Sequence, residues 1–172
     1  MASASPSPIY PSSLSSFAVP PSTILAENPH LTSLAVGAFI FQPTTSKILL
    51  IRRSLTEPAF PDLWEVPGGG AELSDATLLD AVVREVKEET GLTVTAVAEN
   101  LGWLEFPGRC GRMWRKYNFL VEAAGDVTTD PAEHSEWAWC GEEDVGALKI
   151  TTEEQRACVV AAFKRMREMA RS

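Results

Sequence analysis

Two short apolar runs, residues 34–41 (LAVGAFIF) and 47–51 (KILLI), are separated by QPTTS, whose proline and hydroxyl residues suit a turn. The pattern predicts two strands folded back on each other as a hairpin. A loop with three prolines and three glycines follows (LTEPAFPDLWEVPGGG), and residues 63–66 within it read as a brief strand. From about residue 76 to residue 90 the apolar spacing becomes helical, with Asp75 or Ser74 as the cap and Gly91 at the stop. Residues 92–98 and 101–106 read as strands, residues 112–123 contain another centred on 117–121, and residues 137–140 form a short one. Residues 142–148 make a helical turn or two. The chain ends on a helix capped by Thr151-x-x-Glu154, with Val159, Val160 and Phe163 as its apolar stripe and Lys164, Arg165 and Arg167 near its negative end. Strands and helices in this order predict an α/β fold, an α/β/α sandwich with a mixed sheet between helices.

Length and composition refine this picture. The 172 residues suit one domain with about thirty to spare. Residues 1–30, rich in Ser, Pro and Ala, read as a flexible lead, packed in part through Ile9, Tyr10 and Phe17. Residues 31–170 then form the domain, and removing residues 2–28 is expected to leave turnover within a few-fold. The lead lacks the basic start of a secretory signal and the arginines of a mitochondrial one, so the cytoplasm is the expected compartment. No apolar run approaches the ~18 residues of a membrane span. Three cysteines, Cys110, Cys140 and Cys158, have neither disulfide nor zinc spacing and read as idle thiols.

Fifteen basic against 23 acidic side chains give a net charge of −8. So acidic a chain is not expected to hold long nucleic acid, because phosphate contacts need Lys and Arg in number. An anionic small substrate would need a bound cation to offset the repulsion.

The helix offers a place for one. With Arg84 set at zero and ~100° per residue, Glu88 falls near 40°, Glu85 near 100° and Glu89 near 140°, while Leu79, Val82, Val83 and Val86 fall between about 160° and 260°. A carboxylate stripe therefore borders an apolar stripe, with small Ala81 at its middle. Carboxylates this close repel unless something positive sits among them. Arg84 can neutralise one, and Mg²⁺ or Mn²⁺, which take oxygen ligands, suit the others. A solvated acidic face is the plain alternative. The preceding Pro67-Gly68-Gly69-Gly70 favours the ion, since glycines let backbone groups approach an ion or phosphate.

Residues 70–92 resemble the 23-residue Nudix box, G-x5-E-x7-R-E-U-x-E-E-x-G-U, where U is a bulky aliphatic residue. Gly70, Arg84, Glu85, Val86, Glu88, Glu89, Gly91 and Leu92 occupy its fixed positions, and LWEVPGG just before them is similar to the approach seen in many members. One position departs: Ala76 stands where the box has Glu, with Asp75 and Glu72 near enough to replace the missing carboxylate. A looser likeness in element order runs from about residue 31 to 169. The resemblance implies a Nudix-type sandwich and a metal-dependent hydrolase that cleaves a diphosphate linkage in a small organic substrate. It further implies Mg²⁺ on Glu85, Glu88 and Glu89, a carbonyl near Gly69 or Gly70 as an extra ligand, and Arg84 orienting the glutamates. Ala76 is then expected to raise the metal requirement, and Ala76→Glu to lower it.

Outside the box the residues leave more than one reading open. The proton acceptor is Glu85 or a member of the loop carrying Glu133, His134 and Glu136. Arg109, Arg112, Arg115 and Lys116 are four cations in eight residues, a phosphate-binding group or a plain hairpin tip. Arg52 and Arg53 point to opposite faces, so one at most reaches the site; Arg53, Arg112, Arg115 and Glu133 are the candidate substrate contacts. Trp103, Phe106 and Trp114 stack on a base or belong to the core. The resemblance leads us to expect a nucleoside diphosphate derivative as substrate; a prenyl or alkyl diphosphate and a non-catalytic binding module are the alternatives, and a homodimer is left open.

Overall fold

The computed structural model describes residues 8–171, so residues 1–7 of the expected lead lie outside the described residues. Six strands form two three-stranded sheets. One has the order β1 (Ser33–Ile40), β5 (Met113–Ala124), β4 (Thr93–Pro107); the other has β3 (Trp64–Glu65), β2 (Ile48–Arg53), β6 (His134–Cys140). β1 runs parallel to β5, with Ser33 opposite Trp114 and Ile40 opposite Val121, and β4 runs antiparallel to β5. The first sheet is therefore mixed, and the second is antiparallel.

The expected hairpin between the first two runs does not form. Gln42 N–H donates to Lys47 O (2.8 Å) and Phe41 bridges Ile48, so the chain does turn there. Beyond that root β1 and β2 part into different sheets. Seven of the eight β1 residues are buried, a run without polar alternation that suits a strand covered on both faces. Leu34, Val36, Ala38 and Ile40 join one core with Leu49, Leu79, Val82 and Val86; Phe39 and Phe41 join the other with Ile48, Leu50, Val159 and Phe163. Helix α2 (Leu78–Thr90) covers the first core and α4 (Glu153–Met169) the second, after the single turn α3 (Glu142–Val145). The α/β/α sandwich follows from this alternation.

Three further boundaries differ from expectation. The two strands read at 92–98 and 101–106 are one strand, β4, whose register shifts absorb the break, with Gly102 at φ 100°. Thr77, rather than Asp75 or Ser74, caps α2 by accepting from Asp80 N–H (3.1 Å), which frees Asp75 for the site. Thr152, rather than Thr151, caps α4 by accepting from Gln155 N–H (3.0 Å). Both frames fit the same Thr-x-x-Glu/Gln pattern, but Thr151 N–H is already bonded to Trp64 O.

The lead is packed in part where it is described. Residues Ser12–Phe17 make a 3-10 turn and Pro21–Glu27 helix α1, with Leu14 and Ile24 buried in the α2-side core. Phe17 meets Tyr117 and Phe119 edge to face, and Val19 O accepts from Leu78 N–H (2.9 Å) at the start of α2. Ile9 and Tyr10 are exposed. Leu14→Ala or Ile24→Ala should each destabilise the protein by about 2–4 kcal/mol in urea titrations, and removing residues 2–28 should lower the melting temperature as well. A lead that contributed nothing to the core would leave all three unchanged. Among the described residues no helix is long and apolar enough to cross a membrane.

Candidate active site

α2 is held at both ends, which fixes the direction of its carboxylates. Thr77 caps its start, and Gly91 ends it in the left-handed region (φ 68°), pressed against Thr128. The helix brings Arg84, Glu85, Glu88 and Glu89 against the loop of residues 68–70. Arg84 is the hub: Nη1 donates to Glu85 (2.8 Å) and Glu88 (3.0 Å), Nη2 to Gly70 O (2.9 Å), and Nε and Nη2 together clasp Asp75 (2.9 and 3.0 Å). Asp75 thus supplies the carboxylate that Ala76 lacks. The Arg84 hydrogen bonds hold Asp75 below the usual carboxylate range. Ala76 itself is exposed.

This gives the Ala76 position a definite expectation. Ala76→Glu should leave the Mg²⁺ concentration for half-maximal rate unchanged, because Arg84 is already braced. Asp75→Ala should raise it about 10-fold or more, as loss of a supporting partner commonly does. A fall on Ala76→Glu would show that Asp75 is an inadequate substitute.

Glu85 and Glu89 are the enclosed carboxylates of the stripe, with Glu85 buried and Glu89 partly so. Burial pushes Glu85 upward despite Arg84 beside it. Burial likewise pushes Glu89 up to about 8, although Gly68 N–H donates to it at 2.6 Å. Gly69 leaves room for Glu85: a Cβ there would fall 2.6 Å from a carboxylate oxygen. Glu88 is more exposed and is tied to Arg84 alone. Among the described residues no three carboxylate, imidazole or thiolate groups are already drawn to one point as a metal cage, because Arg84 lies between Glu85 and Glu88. The donor set nevertheless suits a hard cation: three carboxylates that share one arginine, beside a side-chain-free backbone.

Residues from other strands complete the surroundings. Buried His134 places Nε2 3.6 Å from Glu65 and 3.7 Å from Glu89, and neither ring nitrogen has a hydrogen-bond partner. Burial would raise Glu65, yet His134, Lys116 and Arg53 together hold it low. Lys116 also acts on Glu89.

The candidate substrate contacts separate. Arg53 lies beside the site, but its guanidinium is engaged by Glu57, Glu65 and Ala59 O. Arg115 faces away: it donates to Glu105, Asn28 and the Tyr117 hydroxyl and lies over the Trp103 ring. With all three guanidinium nitrogens engaged, its place is structural. Strand alternation puts Lys116 on the opposite face of β5 from Arg115, the face toward the carboxylates. Exposed Arg112 lines a pocket of about 300 Å³ with Trp114, Leu73 and Ala71. A second pocket of about 300 Å³ lies by Trp137, Trp139 and Leu92. No box carboxylate lines either pocket, so neither marks the chemistry. Glu133 is exposed, its backbone carbonyl bonded to Ser54 N–H, and Glu136 pairs with Arg52. Phe106 and Trp114 stack on each other. The three thiols are free, with Cys140 pushed to about 11 by burial.

Comparison with known proteins places this geometry in context. An m7GpppN-mRNA hydrolase NUDT17 from Danio rerio is 31% identical over 139 residues, covering 71% of this chain and 46% of that protein. The chain spans less than half the length of that relative. An RNA pyrophosphohydrolase from Cereibacter sphaeroides is 32% identical over 138 residues, covering 66% of this chain and 84% of that protein. The crystal structure of a MutT protein from Methanosarcina mazei Go1 superposes with a TM-score of 0.65 at 26% identity, covering 81% of this chain and 96% of that one. The NUDIX domain model matches residues 31–163. The chain belongs to the NUDIX family.

Proposed function

We propose that this protein is a divalent-metal-dependent hydrolase that cleaves the diphosphate linkage of a nucleoside diphosphate derivative. The observation that carries the reading is the pair of enclosed carboxylates, Glu85 and Glu89, facing a glycine loop on a helix whose arginine is braced from outside. Glu85, Glu88 and Glu89 would hold Mg²⁺, Glu88 by exchanging its Arg84 contact for the ion. Bound there, the cation would neutralise diphosphate charge and acidify a water. Arg84 keeps Glu85 oriented through Asp75 and Gly70 O. Glu85, in its ionised form, would accept a proton from the attacking water, and the burial that raises its proton affinity suits it to that role. Lys116, on the same side as Glu65 and Glu89, offers a positive charge to the phosphates.

The relatives named as an m7GpppN-mRNA hydrolase and an RNA pyrophosphohydrolase support a nucleotide substrate over a prenyl one. They also bring the 5′ end of an RNA within the candidate substrates, which the acidic charge alone argued against. The test is a phosphate-release screen over nucleoside diphosphate sugars, dinucleoside polyphosphates, capped and triphosphorylated RNA and geranyl diphosphate, each with Mg²⁺ and with EDTA. Mg²⁺-dependent turnover of nucleotide compounds is expected. Turnover of the prenyl compound alone would replace the substrate class, and silence throughout would favour a binding module.

A further inference from the structure

Strand β6 carries two tryptophans at alternate positions, and they share a face. Trp137 is opposite Ile51 in the register and Trp139 opposite Leu49, while Ala138 between them packs against the second core. Trp139 rests in part on the first core, and Trp137 is 40% exposed. Both rings line the pocket of about 300 Å³ beside Leu92, and Phe41 adds a third aromatic ring to it. A pocket of this size suits a small ligand.

The facing wall is held in place by the end of α2. Gly125 (φ 116°) turns the chain out of β5, and Asp126 comes to the pocket directly after it. Thr128 N–H then donates to Thr90 O (2.8 Å), and Gly91 is pressed against Thr128. The wall is thus fixed before any ligand arrives, which lowers the ordering cost of binding. Asp126 is exposed, with neither a hydrogen bond nor an ion pair among the described residues. Among those residues no lysine or arginine lines the pocket.

These features select one kind of occupant. An anion would meet Asp126 in a chain of net charge −8. A hard metal ion needs several oxygen ligands, and one carboxylate is too few. A neutral apolar group would cover the rings but strip water from the carboxylate without pairing it. An organic cation with alkyl groups on its nitrogen meets both demands, because ring faces attract its charge and the carboxylate balances it.

We propose that this pocket binds a small quaternary ammonium ion, its head against Trp137 and Trp139 with Asp126 as counter-ion. No box carboxylate lines the pocket, so the site is separate from the hydrolytic chemistry and stands whether or not that reading holds.

The experiment titrates choline and tetramethylammonium into the full chain in EDTA, reading tryptophan fluorescence and calorimetric heat. Neohexyl alcohol, the uncharged carbon isostere of choline, and sodium chloride are the controls. Choline should bind saturably and at least about 10-fold more tightly than its isostere. Trp137→Leu and Asp126→Asn should each weaken choline about 10-fold with melting curves unchanged. Trp137→Phe should lose less, since a phenyl face still attracts a cation. Both positions are exposed, so the test avoids Trp139, whose removal would also cost core packing. Equal affinity for neohexyl alcohol would overturn the proposal and leave an apolar groove. Absence of saturable binding, or binding that both variants keep, would overturn it as well. A dimer in sedimentation that Trp137→Leu separates, without choline binding, would overturn it and give this face to a second copy of the chain.

Discussion

Glu85→Gln and Glu89→Gln should each lower turnover of a diphosphate substrate by at least about 100-fold with the fold intact. Both glutamates are enclosed and both lose the charge that would hold the cation. Near-normal rates from both variants at saturating Mg²⁺ would show the metal assignment to be wrong. The stability of the metal-free protein gives an independent reading with the opposite sign. Glu89 has its folded pKa raised from 4.5 to about 8, chiefly by burial. Below pH 4.5 both states hold the proton and Glu89 costs nothing. As pH rises through the window up to about 8, the unfolded chain has released a proton that the folded chain keeps, so stability falls, by on the order of 3 kcal/mol at pH 7. In EDTA the wild type should therefore melt lower at pH 8 than at pH 5.5, and Glu89→Gln should flatten that slope. Added Mg²⁺ should raise the wild-type melting point at pH 8 and leave the variant where it was. A variant that tracks the wild type across pH would mean Glu89 is less enclosed than the structure places it.

Gly68→Ala should be the most damaging single methyl in the loop, destabilising by on the order of 3–5 kcal/mol. At φ 149° Gly68 has a backbone that L side chains rarely adopt, and its Cβ would lie 2.1 Å from the Val36 carbonyl oxygen. Strand β1 cannot yield, because Val36 N–H is bonded to Gly69 O and Ala38 N–H to Pro67 O. The two neighbouring glycines answer differently. At Gly69 the atoms nearest the added methyl are those of the Glu85 carboxylate, so activity should fall with a much smaller loss of stability. At Gly70 it meets the Trp114 ring at 3.7 Å, an ordinary contact, and little should change. Denaturant titration beside turnover for the three variants separates these mechanisms. Equal losses from all three would mean the loop is merely flexible.

The carboxylate stripe was legible because its members sit within five residues of one helix, where a rotation of ~100° per residue says who is neighbour to whom. Asp75 as the substitute brace was one of two options from proximity, and only the Arg84 geometry decides between Asp75 and Glu72. The remainder of the site was legible only in part, His134 as a candidate proton acceptor and Lys116 as one of four clustered cations, and for a definite reason. Glu65, Lys116 and His134 arrive on β3, β5 and β6, and nothing local in a strand says which strand lies beside it. The same limit produced the hairpin reading: QPTTS does turn the chain, but turn chemistry governs a few residues, and the burial of β1 on both faces decides the rest. Alternation shows that Arg115 and Lys116 face opposite ways without saying which way is inward. The lead misled because seven described residues of helix α1 contain no charge until Glu27, so its composition matched a flexible segment while Leu14 and Ile24 were core.

The parallel pairing of β1 with β5 also sets an order of events during synthesis. Ser33 meets Trp114 and Ile40 meets Val121, so about eighty residues must follow β1 out of the ribosome before its partner exists. At ~5–20 residues per second that interval is roughly 4–16 s, during which the edge of LAVGAFIF that β5 covers lacks its partner. Contacts this distant in sequence also slow folding, since the loop must close before they form. Nascent chains halted near residue 110 should accordingly bind hydrophobic-segment chaperones and resist little proteolysis, and chains extended past β5 should abruptly lose that affinity.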